Sequence, residues 1–176
     1  MHVDLLSASA AARYDDRSIA LHWITATLIA LLWLGGQTVD SLGHATVPLL
    51  RSLHISLGLL LAVVLTLRVL WRLTSGRRLP GAGLAHRVAQ AGHGLLYLLA
   101  GTAVGLGLAT AWFRGYAVFG LFAFPGNDRT FAHTLRGLHE LAANAILLIA
   151  LGHAAVALGH HYLLRDGVLR RMLPQL

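Results

Sequence analysis

Leu138 to Leu163 reads LHELAANAILLIALGHAAVALGHHYL, an apolar run whose only acid or arginine is Glu140. A bilayer core needs roughly 20 apolar residues in helical form, and this run exceeds that. Within it, His139 and His153 lie fourteen residues apart. That spacing climbs about 21 Å along a helix and returns to nearly the same face. One membrane-spanning helix therefore holds two imidazoles on a shared face, one toward each membrane surface.

Three more stretches match it in length and apolarity: Ser18 to Gln37, Ser52 to Leu73 and Ala91 to Ala111. The whole 176-residue chain is 56% hydrophobic and 12% charged, against about a quarter charged in a soluble domain. These features predict an all-α, integral membrane four-helix bundle forming a single domain over residues 1–176. Helices satisfy their own backbone polar groups in lipid, and the segments are too long and too evenly apolar for barrel strands. Tyr116 to Phe124 is too short to span and stops at Pro125-Gly126. It is expected as an interfacial segment or short helix within a loop. The N-terminus lacks the long apolar core of a signal peptide.

The net charge of +7 comes from fourteen arginines, with no lysine, against seven acids. The arginines flank the apolar segments and form no stripe on a polar domain, which argues against nucleic acid. With the N-terminus inside, the inner segments hold Arg13, Arg17, Arg68, Arg72, Arg77, Arg78, Arg87, Arg165, Arg170 and Arg171. The outer ones hold Arg51, Arg114, Arg129 and Arg136. That bias places both termini in the cytoplasm.

Depth then sorts the histidines. His22 lies near the inner start of the first helix and His54 near the outer start of the second. Pairing by depth joins His54 with His139 outside and His22 with His153 inside. His93, also near the inner side on the third helix, is able to replace either inner ligand on spacing alone. An ionisable side chain within a span usually marks a site, and two neutral imidazoles complete the axial positions of a haem iron. No cysteine is present, so covalent CxxCH attachment and thiolate ligation are excluded. Any haem here is non-covalent, with histidine as the natural axial ligand. The competing role for each histidine is an interhelical hydrogen bond. His2, His44, His86 and His133 read as loop or surface residues. Arginine binds carboxylates in bidentate fashion, which makes Arg68 and Arg72 candidates for inner haem propionates and Arg51, Arg114 and Arg136 for outer ones. Snorkelling anchors are the alternative. Gly58, one turn after His54, and Gly101, Gly105 and Gly107 on the third helix leave room for a macrocycle or for close helix packing.

The ordered set of motifs resembles the bacterial cytochrome b561 family of the small di-haem type, and within it the superoxide oxidases (superoxide:ubiquinone oxidoreductases). The resemblance covers nearly the whole chain. It rests on Ser18-Ile19-Ala20-Leu21-His22-Trp23, Leu53-His54-Ile55-Ser56-Leu57-Gly58, Gly92-His93 with Tyr97, Leu138-His139-Glu140 with Asn144, and Gly152-His153-Ala154-Ala155. The most specific stretch is Gly159-His160-His161-Tyr162 followed by Arg165-Asp166-Gly167-Val168-Leu169-Arg170-Arg171-Met172-Leu173-Pro174. The lead into the third helix, from Leu84 to Gln90, departs from the family pattern. The resemblance implies two haem b groups held by His22, His54, His139 and His153. It also implies a ubiquinone site near the inner haem, for which His160 and Arg72 are the candidates, and location in the bacterial inner membrane.

The expected function is electron transfer from periplasmic superoxide to ubiquinone. A small anionic donor needs an electropositive outer surface more than a pocket. Arg114 and Arg136, with Arg51 and Arg129, supply the charge, opposed by Asp40, Asp128 and Glu140. A second reading is a cytochrome b subunit serving a partner dehydrogenase or hydrogenase, since fold alone does not fix function. A third is a haem-free metal or proton transporter that uses the histidines as a relay.

Overall fold

The computed structural model describes residues 13–39, 46–77, 79 and 83–174. His2, Asp40, His44 and Arg78 lie outside the described residues. Four helices, each long and apolar enough to cross a membrane, make up the fold: α1 (Asp16–Thr38), α2 (Val47–Thr74), α3 (Gly83–Arg114) and α4 (Arg129–Gly159). The last continues into one π-helical turn, His160–Leu164, and a 3-10 turn follows at Leu169–Met172. The protein is a membrane helical bundle.

α3 and α4 begin well before the apolar boundaries expected from sequence. Hydropathy marks the lipid-facing length, whereas helix ends are set by capping groups. Asp128 caps α4, its carboxylate accepting from the Phe131 N–H at 2.8 Å. Asp15 caps α1 in the same way through Ser18 N–H at 2.9 Å. Both are carboxylates at a helix N-terminus, where orphan N–H groups and the dipole favour negative charge. Pro48 in the first turn of α2 costs nothing, because its missing N–H has no helical partner there.

Packing is most extensive between α3 and α4, then between α1 and α2, with α2 against α3 joining the pairs. α1 and α4 meet only sparsely. Small side chains explain the tight α3–α4 seam: Ala100, Ala103 and Ala142 are buried beside Leu65 and Ile146. In lipid, where apolar burial drives helix association little, such small residues let backbones approach. Large apolar side chains such as Leu34, Leu67, Leu98 and Leu148 are left on the bundle exterior, as a bilayer solvent requires.

The segment expected as an interfacial segment or short helix forms no helix but a two-stranded hairpin, β1 (Ala117–Val118) and β2 (Phe122–Ala123). Its turn places Phe119 (φ 52°) and Gly120 (φ 68°) in the left-handed region, which closes tight hairpins but strains a residue as bulky as Phe119. Two hydroxyls on α2 hold it there: Ser56 Oγ accepts from the Phe119 N–H and Ser52 Oγ from the Gly120 N–H, each at 2.9 Å. Val118 is fully buried against Ile55 and Ala111.

At the opposite end, the chain's described ends gather. The Tyr14 N–H donates to Arg171 O, Arg13 to Leu173 O and the Trp23 indole to Met172 O. The Asp15 carboxylate also accepts from the Trp71 indole at 2.8 Å and the Arg77 N–H at 3.0 Å. The starts of α1, the end of α2 and the C-terminal turn therefore share one end of the bundle.

Candidate functional site

Two histidine clusters lie at opposite ends of α4. At the hairpin end, His54 of α2 faces His139 of α4 with ring centres 6.1 Å apart, nearly perpendicular. All four helices shape this place. A Cβ added at Gly36 of α1 would stand 3.5 Å from His54 Cε1, and one at Gly107 of α3 only 3.0 Å from His139 Cε1. The carbonyl of Ala103, also on α3, lies 2.8 Å from His139 Nδ1. A carbonyl only accepts, so the His139 proton sits on Nδ1 and the Nε2 lone pair stays available. Metal-binding histidines are oriented by this kind of contact.

At the other end, His22 of α1, His93 of α3 and His153 of α4 converge. The His22–His153 ring centres are 6.5 Å apart and those of His93–His153 5.2 Å. Arg68 of α2 reaches into the group, with Nη2 2.9 Å from His22 Nδ1 and its guanidinium 5.2 Å over the Tyr97 ring. A guanidinium only donates, so in this contact His22 Nδ1 accepts. Trp23 meets His22 edge-on at 5.5 Å. Between the clusters, the Trp33 indole on α1 donates to Asn144 Oδ1 on α4 at 2.9 Å, bridging the sparse α1–α4 seam.

Other residues singled out from sequence fall as follows. Arg72 is exposed near the end of α2. His160 begins the π-helical turn, and its Nδ1 contacts Asp166 Oδ2 at 2.5 Å. Arg136 is paired with Glu140 one turn on, Nε to Oε1 at 2.6 Å, so its charge is partly cancelled. Arg114 ends α3, with a buried Nε that has no hydrogen-bond partner among the described residues. Arg51 lies 5.3 Å over the Tyr116 ring. Gly58, Gly101 and Gly105 face open space, unlike Gly107.

Two carboxylates outside the spans have depressed acidity constants. Burial pushes Asp15 up, but the donors Ser18, Arg77 and Trp71 together outweigh it and hold its carboxyl well below the usual carboxylate range. The His160 ring chiefly, with the Val168 N–H, holds Asp166 low as well. Neither residue stood out as functional in the sequence. The Asp15–Ser18 spacing is a helix-start signal, whereas nothing local announces that Asp166 folds back onto His160.

Comparison with known proteins agrees with this architecture. The family model described as prokaryotic cytochrome b561 matches residues 13–175. The chain belongs to that family. It is therefore a multi-pass bacterial membrane protein of a family that binds haem b and transfers electrons. Among its relatives, the probable superoxide oxidase CybB of Yersinia pestis is 29% identical over 174 residues, covering 93% of this chain and 97% of that one. Cytochrome b562 of Cereibacter sphaeroides is 34% identical over 166 residues, 91% of this chain and 94% of the relative. Cytochrome b561 homolog 2 of Escherichia coli K12 is 32% identical over 177 residues, 92% and 91%.

Proposed function

We propose that this cytochrome b561 holds two haem b groups and carries electrons across the bacterial inner membrane from periplasmic superoxide to ubiquinone. The observation that carries the two-haem reading is the spacing of the histidine pairs. With metal–nitrogen bonds of about 2.0 Å, two imidazoles that held one iron between them would have ring centres about 6 Å apart. His54–His139 at 6.1 Å and His22–His153 at 6.5 Å fit that separation, whereas His93–His153 at 5.2 Å is too close. The site residues present therefore suit bis-histidine haem, with His54 and His139 as one ligand pair and His22 and His153 as the other.

When bound, the haems supply one-electron carriers at the two ends of α4. The protein's own side chains do the rest. Ala103 O fixes the tautomer of His139, Gly107 leaves room for the His139 ring and Gly36 for the His54 ring. Arg68 and Arg72 offer positive charge to propionates at the inner cluster, and both termini face the cytoplasm in this orientation. Arg114, with Arg51 and Arg136, draws an anion toward the outer end. Two superoxide anions lose one electron each and leave as dioxygen; one ubiquinone accepts both electrons and two protons. The relative named as a probable superoxide oxidase supports the choice of donor.

The Arg136–Glu140 pair, which lowers the net charge of the outer face, favours a second reading in which a partner dehydrogenase or hydrogenase is the donor. The test is purification of the chain alone, with haem quantification, an optical spectrum and haem reduction by a superoxide-generating system. Two haems per chain reduced by superoxide support the proposal. A colourless chain removes the haem assignment and returns the transporter reading, and a di-haem chain inert to superoxide transfers the donor role to a partner protein.

A further inference from the structure

The quinone candidate His160 is not alone. α4 ends in a π-helical turn, and Arg165 (φ 52°) and Gly167 (φ 75°) then reverse the chain in the left-handed region. The reversal drops Asp166 back onto His160. One carboxylate oxygen meets His160 Nδ1 at 2.5 Å, and the other accepts from the Val168 N–H at 3.1 Å. The segment beyond is pinned: Arg171 O, Met172 O and Leu173 O take hydrogen bonds from Tyr14, Trp23 and Arg13. The carboxylate is therefore held in place by contacts that reach the start of α1, next to His22. Both side chains are partly open, His160 at 34% and Asp166 at 39% exposure, beside the arginine-rich segment of Arg165, Arg170 and Arg171 that marks the polar end of the bundle.

We propose that Asp166 is the positioning residue for His160, and that this dyad passes protons from the aqueous face at the gathered chain ends to ubiquinone. The inference rests on the quinone site proposed above. An ionised carboxylate only accepts hydrogen bonds, and hydrogen bonding by His160 and Val168, aided by the Arg171 charge, keeps Asp166 ionised. The Nδ1 proton of His160 therefore stays on the ring, facing Asp166, and Nε2 is the atom that exchanges protons. In the protonated ring, the Nε2–H bond breaks as an O–H bond forms on the reduced quinone. The neutral ring then takes a proton from water at Nε2, and a second cycle delivers the second proton. Asp166 orients and stabilises the cation without becoming protonated, the role of the carboxylate in acid–base dyads.

The test uses haem-loaded protein, reduced anaerobically with dithionite and mixed with a short-chain ubiquinone, so that the outcome does not depend on the natural donor. Haem reoxidation is followed optically. Asp166→Asn is expected to lower the limiting rate about tenfold or more, with half-saturation by quinone changed less than about twofold. Haem content stays at the wild-type level, Asp166→Glu recovers most of the rate, and His160→Gln/Asp166→Asn is no slower than His160→Gln. If His160→Gln slows reoxidation but Asp166→Asn does not, Asp166 is only a helix-end cap and the inference fails. Loss of haem in both Asp166 variants overturns it too, by assigning the residue to folding. If His160→Gln itself reoxidises at the wild-type rate, the quinone site proposed above is what fails.

Discussion

Gly107→Ala tests the outer cluster at one atom. The added Cβ would lie 3.0 Å from His139 Cε1 and 3.1 Å from Nδ1, against about 3.5–4.0 Å for an ordinary carbon contact. Relief requires the ring, or the helix behind it, to retreat by about half an ångström. The His139–Ala103 hydrogen bond is 2.8 Å, so such a retreat takes it to about 3.3 Å, outside the usual N–H···O range. Overpacking of this kind costs about 1–3 kcal/mol, or about a 5- to 150-fold loss of affinity if the strain falls on the bound state. Gly105→Ala is the control: same helix, same gain in helix propensity, but nothing within 4 Å of the new Cβ. The assay is the haem-to-protein ratio of purified protein during titration with haem. Gly107→Ala should retain the inner haem and bind the outer one weakly, with Gly105→Ala unchanged. Two haems held by Gly107→Ala with wild-type affinity and spectrum would refute His139 as a ligand fixed by this packing.

Further outcomes follow from other contacts. Asp15→Ala removes the cap of α1 and the acceptor for Trp71 and Arg77, and should cost about 2 kcal/mol in unfolding measurements at neutral pH. Because the folded state depresses the Asp15 acidity constant, its contribution is full above the unfolded value of about 3.9. It disappears as pH falls toward the folded value, so the wild-type advantage over Asp15→Asn should shrink in melts below about pH 4. Asn144→Ala breaks the Trp33 bridge and should destabilise by about 0.6 kcal/mol, at most about 1.7, in detergent unfolding. Glu140→Gln releases Arg136 from its pair and should speed superoxide-driven haem reduction at low salt, whereas Arg114→Glu should slow it. The difference between the two variants should narrow as added salt screens it.

The bundle was legible because the bilayer imposes one simple rule: long apolar runs, each flanked by arginine. The placing of His139 and His153 toward opposite ends of α4 was legible for a related reason, since a straight helix converts fourteen residues into a fixed height and face. Tertiary contacts escaped the same reading. Nothing in Tyr116 to Phe124 says that two serines on α2 will capture its backbone and stabilise Phe119 in a left-handed turn. Glu140 counts against the outer arginines in a charge tally by membrane side, yet the tally does not say that it pairs with Arg136 in particular. Asp166 meets His160 only because a π-helical turn and two positive-φ residues fold the chain back, and that conformation has no periodic signature. Gly107 differs from Gly101 and Gly105 solely in what lies across from it.

The two clusters differ in how ready their imidazoles are to bind iron. At His139 the Ala103 carbonyl takes the Nδ1 proton's hydrogen bond and leaves Nε2 a free lone pair. At His22, Arg68 donates to Nδ1, which puts the ring proton on Nε2. That tautomer and iron ligation through Nε2 exclude each other. For His22 to bind iron at Nε2, Arg68 would have to release Nδ1, keeping Tyr97 but losing one acceptor for a buried guanidinium, which is costly. A carboxylate within reach offsets that cost through paired N–H···O bonds, and a haem propionate is such a carboxylate. On the proposed di-haem reading, the Arg68–His22 contact therefore couples ligation by His22 to binding of a propionate by Arg68. His93 makes no such contact with Arg68 among the described residues, and its 5.2 Å approach to His153 leaves too little room for an iron between the rings.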